Sequence, residues 1–262
     1  VSKKKHLGFG IDIGGSGIKG APVDLVAGKL ADDRVRIDTP QPSTPEAVAK
    51  AVRELLDQFG WDGDFGCTFP GVIKRGAVCF APNIDASWLG VDAHGLFAEV
   101  TGRQVQLIND ADAAGVAEAR FGAARGQAGV VLVSTLGTGI GTGLLLDGRL
   151  IPNVELGHLQ LDGHLAEAYA ASSARERETL SWADWAQRLS RYYGHVERLI
   201  WPELIVVGGG VSKHAEKWLP LVEIQTPIVA AALRNEAGIV GAALLAAESD
   251  LLSASGRGKH KG

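Results

Sequence analysis

The apolar positions along this chain fall into two rounds of one scheme. An apolar run, Leu7–Ile13, enters the turn Asp12-Ile13-Gly14-Gly15-Ser16-Gly17-Ile18-Lys19, and a second apolar run follows through Val23. Farther along, Val130–Leu136 enters Leu136-Gly137-Thr138-Gly139-Ile140-Gly141-Thr142-Gly143 and continues through Leu146. Strand, glycine turn, strand, written twice, predicts two related half-molecules. Around the first turn, residues 7–39 read as a three-stranded meander. Thr44 is placed as an N-cap before Pro45, and Val48, Val52, Leu55, Leu56 and Phe59 give the helix that follows an apolar face. A strand over residues 64–69 ends at Pro70-Gly71, and a helix covers residues 91–101. A short strand over residues 105–108 stops at Asn109-Asp110, before an Ala-rich helix over residues 111–121.

The second half repeats the pattern. A hairpin over residues 130–150 closes at Asp147-Gly148. A long helix over residues 181–201 starts on a Ser181/Asp184 capping box. It carries Trp182, Trp185, Tyr192, Tyr193 and Trp201, which read as core or subunit interface rather than a stacking platform. A buried strand over residues 204–207 runs into Gly208-Gly209-Gly210, and a last helix covers residues 235–249. Alternating strands and helices predict two α/β domains with mixed sheets. The first would span residues 1–110 and recover the last helix; the second would span residues 111–234. Ligands of open α/β sheets sit beyond strand carboxyl ends, where Pro70-Gly71, Asn109-Asp110 and the triple glycine fall. The expectation is one cleft between the halves.

Composition narrows the classes. The 262 residues are 46% hydrophobic, enough for a sizeable core. The net charge, 26 − 30 = −4, does not mark a nucleic-acid binder. Cys67 and Cys79 lie in apolar β-like stretches and read as two buried thiols, not a disulfide framework. No signal peptide and no membrane-spanning run is apparent, so a cytoplasmic enzyme without a membrane partner is expected. Residues 1–5 form a short basic arm.

The glycine turns are the first chemical signal. Backbone N–H groups in such turns can approach phosphate oxygens closely. The commoner reason for a lone glycine turn is a positive φ. Neither turn ends in the Gly-Lys-Ser/Thr of a P-loop, and each continues into a strand rather than the helix of a dinucleotide fingerprint. Asp12 could hold Mg²⁺ through water, and Lys19 could touch phosphate. Asp110, at a strand end, could be a general base; a helix N-cap is the commoner role. Asp112 suits a structural role. Glu155 and His158, in Glu155-Leu156-Gly157-His158, could turn toward sugar hydroxyls, although such a segment is more often an exposed turn. Gly208, Gly209 and Gly210 could let a nucleotide lie on backbone or simply connect strand to helix.

Taken together these motifs, with Pro82-Asn83 and Ala237-Gly238-Ile239-Val240-Gly241-Ala242, resemble the ROK family of bacterial sugar kinases. They stand in the family's order along nearly the whole chain. The resemblance implies the two-domain actin/hexokinase/Hsp70-like (ribonuclease H-like) fold. It implies that Asp110 is the base for the sugar 6-hydroxyl, and that Asn83, Asn109, Glu155, His158 and Glu167, with Gly71 beside them, hold the sugar. It makes Gly14, Gly15, Ser16, Gly17 and Gly137, Thr138, Gly139 phosphate loops, and the triple glycine the nucleotide side. Most members carry a Cys-rich zinc loop after the Glu-Gly-His segment; residues 163–180 here hold no cysteine, so no zinc is expected. That pattern, with Arg175-Glu176-Arg177-Glu178 leading to Leu180-Ser181-Trp182, resembles the actinobacterial subgroup that uses inorganic polyphosphate, some of whose relatives accept mannose. The implied reaction is transfer of a terminal phosphoryl group from polyphosphate or ATP to glucose O6, with Mg²⁺ offsetting charge. Lys74, Arg75, Arg120, Arg125, Lys213 and Lys217 are candidates for a cationic track, or ordinary surface charge.

The enzymatic alternative is a strictly ATP-dependent hexose or N-acetylhexosamine kinase. A regulator of the same family would carry a helix-turn-helix before the first glycine turn, and eleven residues before Asp12 are too few for one. An ATPase of the actin kind would not need Glu155 and His158. Family analogy and the aromatic helix suggest a homodimer.

Overall fold

The computed structural model describes residues 6–257, with side chains to Glu248. The basic arm of residues 1–5 lies outside the described residues. The described chain divides into two compact units: up to Ala113 together with Gly238 onward, and Ala114–Ala237.

The first unit holds the strands β1 (Leu7–Ile13), β2 (Gly17–Asp24), β3 (Lys29–Leu30), β4 (Val35–Asp38) and β5 (Phe65–Phe69). It adds a small hairpin, β6 (Val72–Lys74) with β7 (Ala77–Phe80), and the strand β8 (Val105–Asn109). The main sheet runs β3-β2-β1-β5-β8, with β4 also on β2. Residues 7–39 are therefore four strands, not a three-stranded meander. The segment after β3 comes back to pair again with β2, from Gly17↔Asp38 to Gly20↔Val35. Helix α1 (Pro45–Gln58) is capped by Thr44, whose Oγ accepts from Ala47 N. It buries Val48, Val52, Leu55 and Leu56 against the sheet's Phe9, Ile11 and Ile18. Helix α2 (Ala93–Thr101) starts two residues later than expected, because Asp92 takes the cap. Helix α3 (Asp110–Phe121) leaves directly from β8.

The second unit holds β9 (Val130–Leu136), β10 (Ile140–Leu146), β11 (Arg149–Ile151), the short pair β12 (Gln160–Leu161) and β13 (His164–Leu165), then β14 (Leu204–Gly208) and β15 (Ile228–Ala230). Its main sheet runs β11-β10-β9-β14-β15. That order matches the first sheet strand for strand. In both, an antiparallel pair flanks the glycine turn and a parallel strand follows. The duplication seen in the apolar pattern is a duplication of topology. Helices α4 (Ala166–Ala170), α5 (Ser172–Arg177), α6 (Trp182–Ile200) and α7 (Ala215–Trp218) complete the unit. On α6, Trp185, Tyr192 and Tyr193 are core, whereas Trp201, its left-handed C-cap, is 68% exposed.

The last helix, α8 (Ala237–Arg257), belongs to the first unit. Three glycines let backbones meet beneath it. A Cβ at Gly10 would stand 1.9 Å from Ile239 O, one at Gly66 1.7 Å from Ala242 O, and one at Gly241 1.9 Å from Ala113 O. Among the described residues no helix is long and apolar enough to cross a membrane. Cys67 is buried as expected; Cys79 is exposed, because β7 lies in the small hairpin and not in the main sheet.

Candidate active site

In the first unit the glycine turn between β1 and β2 is closed by Gly14 N donating to Gly17 O (3.0 Å). None of its glycines, nor those of the second turn, has a positive φ. Gly17 is closely approached instead: a Cβ there would stand 2.5 Å from the Arg36 guanidinium. Arg36 donates to Ser16 O (2.7 Å) and Thr39 Oγ to Gly14 O (2.6 Å), fixing the turn from below. Asp12 accepts from Thr68 Oγ (2.9 Å), and its other oxygen lies 3.8 Å from Lys19 Nζ. A Cβ at Gly238 would be 3.2 Å from Asp12, so the first turn of α8 passes close to that carboxylate. Asn83 reaches the same neighbourhood through its backbone, 3.7 Å from where Gly15 would carry a Cβ, and its side chain is exposed.

At the end of β8 the structure separates two roles that the sequence left merged. Asn109 is the helix cap: its Oδ1 accepts from Ala111 N (2.8 Å) and Asp112 N (3.2 Å). Its Nδ2 donates to Gly71 O (3.2 Å), tying β8 to the turn after β5. Asp110 shares the Ala111 N–H (2.9 Å) and is exposed, while Asp112 is buried. Asn109, expected to hold sugar, thus also ties the start of α3 to the turn after β5. Gly71 is required there, since a Cβ would meet Phe80 O at 2.2 Å.

In the second unit Gly137 N donates to Gly139 O (3.0 Å), and Gly137 and Thr138 stand exposed. The Glu155-Leu156-Gly157-His158 segment is not a loose turn. Thr142 Oγ donates to Val154 O and accepts from Leu156 N (3.0 Å). A Cβ on Gly157 would stand 2.1 Å from Ile140 O, so glycine lets this segment lie flat on β10. His158 Nδ1 is 3.7 Å from Glu155 Oε2, and its Nε2 is 3.5 Å from Glu167 Oε1. Glu167 accepts from Ile140 N (3.3 Å), and its carboxylate lies 2.3 Å from where Gly139 would carry a Cβ. Glu155, His158, Glu167 and the second glycine turn therefore form one half-buried cluster. Desolvation holds the Glu155 carboxyl above the usual carboxylate range; His158 opposes that and the Glu167 charge adds to it.

Gly209, at the end of β14, has φ +83° and would drive a Cβ into Leu136 O at 2.3 Å. The triple glycine thus packs against the strand that enters the second turn. Beside that turn lies a cavity of about 450 Å³, reached by Gly137, Thr138 and Gly210. Of the cations set out above, Lys213 lines it; Arg175, Trp182 and His214 join it. Arg36, Thr68 and Ser173 had no sequence signal, because their partners lie distant along the chain. Among the described residues no three His, Cys, Asp or Glu side chains gather to hold a metal.

Two sheets of one strand order, each with a glycine turn, define the two-domain actin/hexokinase-like fold, and solved ROK sugar kinases share it. The ROK family profile matches residues 8–169. A polyphosphate glucokinase of Mycobacterium tuberculosis is 51% identical over 245 residues, covering 93% of this chain and 92% of that one. The inorganic polyphosphate/ATP-glucomannokinase of Arthrobacter sp. strain KM superposes with a TM-score of 0.90 at 53% identity, covering 94% of this chain and 100% of that one. A ROK glucokinase from Streptomyces griseus, solved with glucose and AMPPNP, gives 0.75 at 26% identity, covering 92% and 99%. The chain belongs to the ROK family.

Proposed function

We propose that this protein transfers the terminal phosphoryl group of inorganic polyphosphate or ATP to O6 of glucose, and also of mannose, with Asp110 as general base. The observation that carries the reading is the exposed Asp110 carboxylate at the end of β8, beside the Asn109 that accepts at the start of α3. That carboxylate takes the proton as O6 attacks phosphorus and the bond to the bridging oxygen breaks. Glu155, His158, Glu167 and Asn83 are the proposed sugar-hydroxyl partners, and the two glycine turns the phosphate partners. The relatives named polyphosphate glucokinase and glucomannokinase support both donor and acceptors.

The donor set near the first turn suits Mg²⁺, which takes few carboxylates and keeps its waters. Asp12 would hold it through water, with the donor's phosphates as its other ligands. When bound, the ion supplies neutralisation of phosphate charge. We further propose a homodimer, supported by Leu199 and Trp201 standing exposed at the end of α6.

The test pairs glucose and mannose with ATP and with chain-length-defined polyphosphate, reading hexose 6-phosphate. Product from polyphosphate and from ATP is expected. Turnover with ATP alone would remove polyphosphate as donor, and no product from any pair would overturn the kinase reading.

A further inference from the structure

The cavity beside the second glycine turn carries an arrangement that the reaction above does not explain. Helix α5 is tied to that turn: Ser173 N donates to Gly137 O (3.1 Å) and Ser173 Oγ to Thr138 O (2.6 Å). Two residues on, the Arg175 guanidinium lies over the Trp182 ring, its Cζ 3.6 Å from the ring centroid. Trp182 is itself fixed, with Trp185 at 6.0 Å and His214 at 5.9 Å between ring centroids. Arg175 Nε is buried and has no hydrogen-bond partner among the described residues. A buried N–H without an acceptor is costly and marks a place where one can arrive. A guanidinium held over an aromatic ring still has its N–H edge to offer a phosphate oxygen. Lys213 and His214 line the same cavity from the segment after the triple glycine, and Glu176 is the acid there.

We propose that Arg175, held on Trp182, is a donor-specificity residue. It binds phosphates of a polyphosphate chain upstream of the one being transferred, and it covers the ring face on which a nucleotide base would stack. A phosphate chain gains the unpaired N–H and the cations around it. A base must either displace the guanidinium from Trp182 or do without that ring. The inference rests on the kinase reading above and deepens its donor side.

The test compares Arg175→Ala, Arg175→Lys and Lys213→Ala with the parent protein. Direct binding of long polyphosphate and of ATP is measured without sugar, and kcat/KM for each donor at saturating glucose. Arg175→Ala is expected to weaken polyphosphate by about tenfold or more, one charge-assisted contact being worth that much. ATP should change by less than about threefold, a loss of that size lying well under one such contact. The ATP-to-polyphosphate ratio therefore rises, while glucose KM holds. Arg175→Lys, which keeps the charge but not the guanidinium, should fall between. Equal losses for both donors, or unchanged polyphosphate values, would overturn the proposal. If Arg175→Ala does not fold, Lys213→Ala carries the test, and an unaltered donor ratio there counts against it. Arg175-dependent polyphosphate binding without any sugar phosphorylation would sink the kinase reading, and with it the donor role, and leave only the polyphosphate contact of Arg175 standing. Sugar phosphorylation with Arg175-independent polyphosphate use would do the reverse.

Discussion

Glu155 illustrates how a site residue costs stability. Its carboxyl is raised by desolvation first, with Glu167 adding and His158 opposing. A raised carboxylate binds its proton more readily in the folded state, so folding opposes the charged form. The penalty is absent below the unfolded-state pKa, grows as pH rises through the folded one, and is complete above it. Glu155→Gln should therefore raise the melting temperature near pH 7.5 by a degree or two, as removal of one such penalty does, with the gain vanishing toward pH 4. If Glu155 holds sugar as proposed, the same variant should raise glucose KM by about tenfold or more, since the amide oxygen that replaces the carboxylate carries no charge to strengthen the bond. A melting temperature that falls at pH 7.5 would contradict this placement. The residues of this cluster were legible as types, but not as a cluster. The sequence shows Glu155 and His158 three apart; nothing local shows that Gly157 lets them lie on β10 or that Glu167 joins them. Asn109 and Asp110 were legible only as a pair, because either could cap a helix and only geometry says that Asn109 does.

Among the elements, α8 is held by the absence of side chains beneath it. Gly66→Ala would push a methyl onto Ala242 O, and overpacking of this kind should cost about 3 kcal/mol. Urea unfolding should show a lower midpoint at unchanged slope. A second device is Glu118 of α3, fully buried, whose carboxylate accepts from Ala123 N (2.7 Å), Ala232 N (3.2 Å) and Leu233 N (2.8 Å). It ties the end of α3 to the segment that leads into α8. Glu118→Ala strands those donors and should destabilise by about 3 kcal/mol or more. A loss under about 1 kcal/mol, within the range of an ordinary surface change, would contradict it. Amphipathic helices such as α1 and α6 were legible, because their caps and apolar faces are local. The four-stranded start was not, since β4 gains its place by pairing back with β2. Glu118 gave no signal either: two of its partners lie more than a hundred residues away.

On the scale of the whole molecule, the doubled apolar pattern became two sheets of one order, each closing a glycine turn. The positions of the turns were plain in the sequence, but their packing was not: Arg36 and Glu167 come close to Gly17 and Gly139, and neither turn uses a positive φ. The missing Cys-rich loop predicts that the purified protein carries no stoichiometric zinc by elemental analysis. One zinc per chain would contradict that, since Cys67 is buried in β5 and Cys79 sits alone on β7. Phosphoryl transfer to glucose with Asp110 as the proposed base is tested by turnover of Asp110→Asn with glucose and polyphosphate, measured beside the variant's glucose dissociation constant. Turnover should fall by about a thousandfold, as for loss of a general base, with glucose affinity within about threefold of the parent. Near-normal turnover in that variant would contradict it.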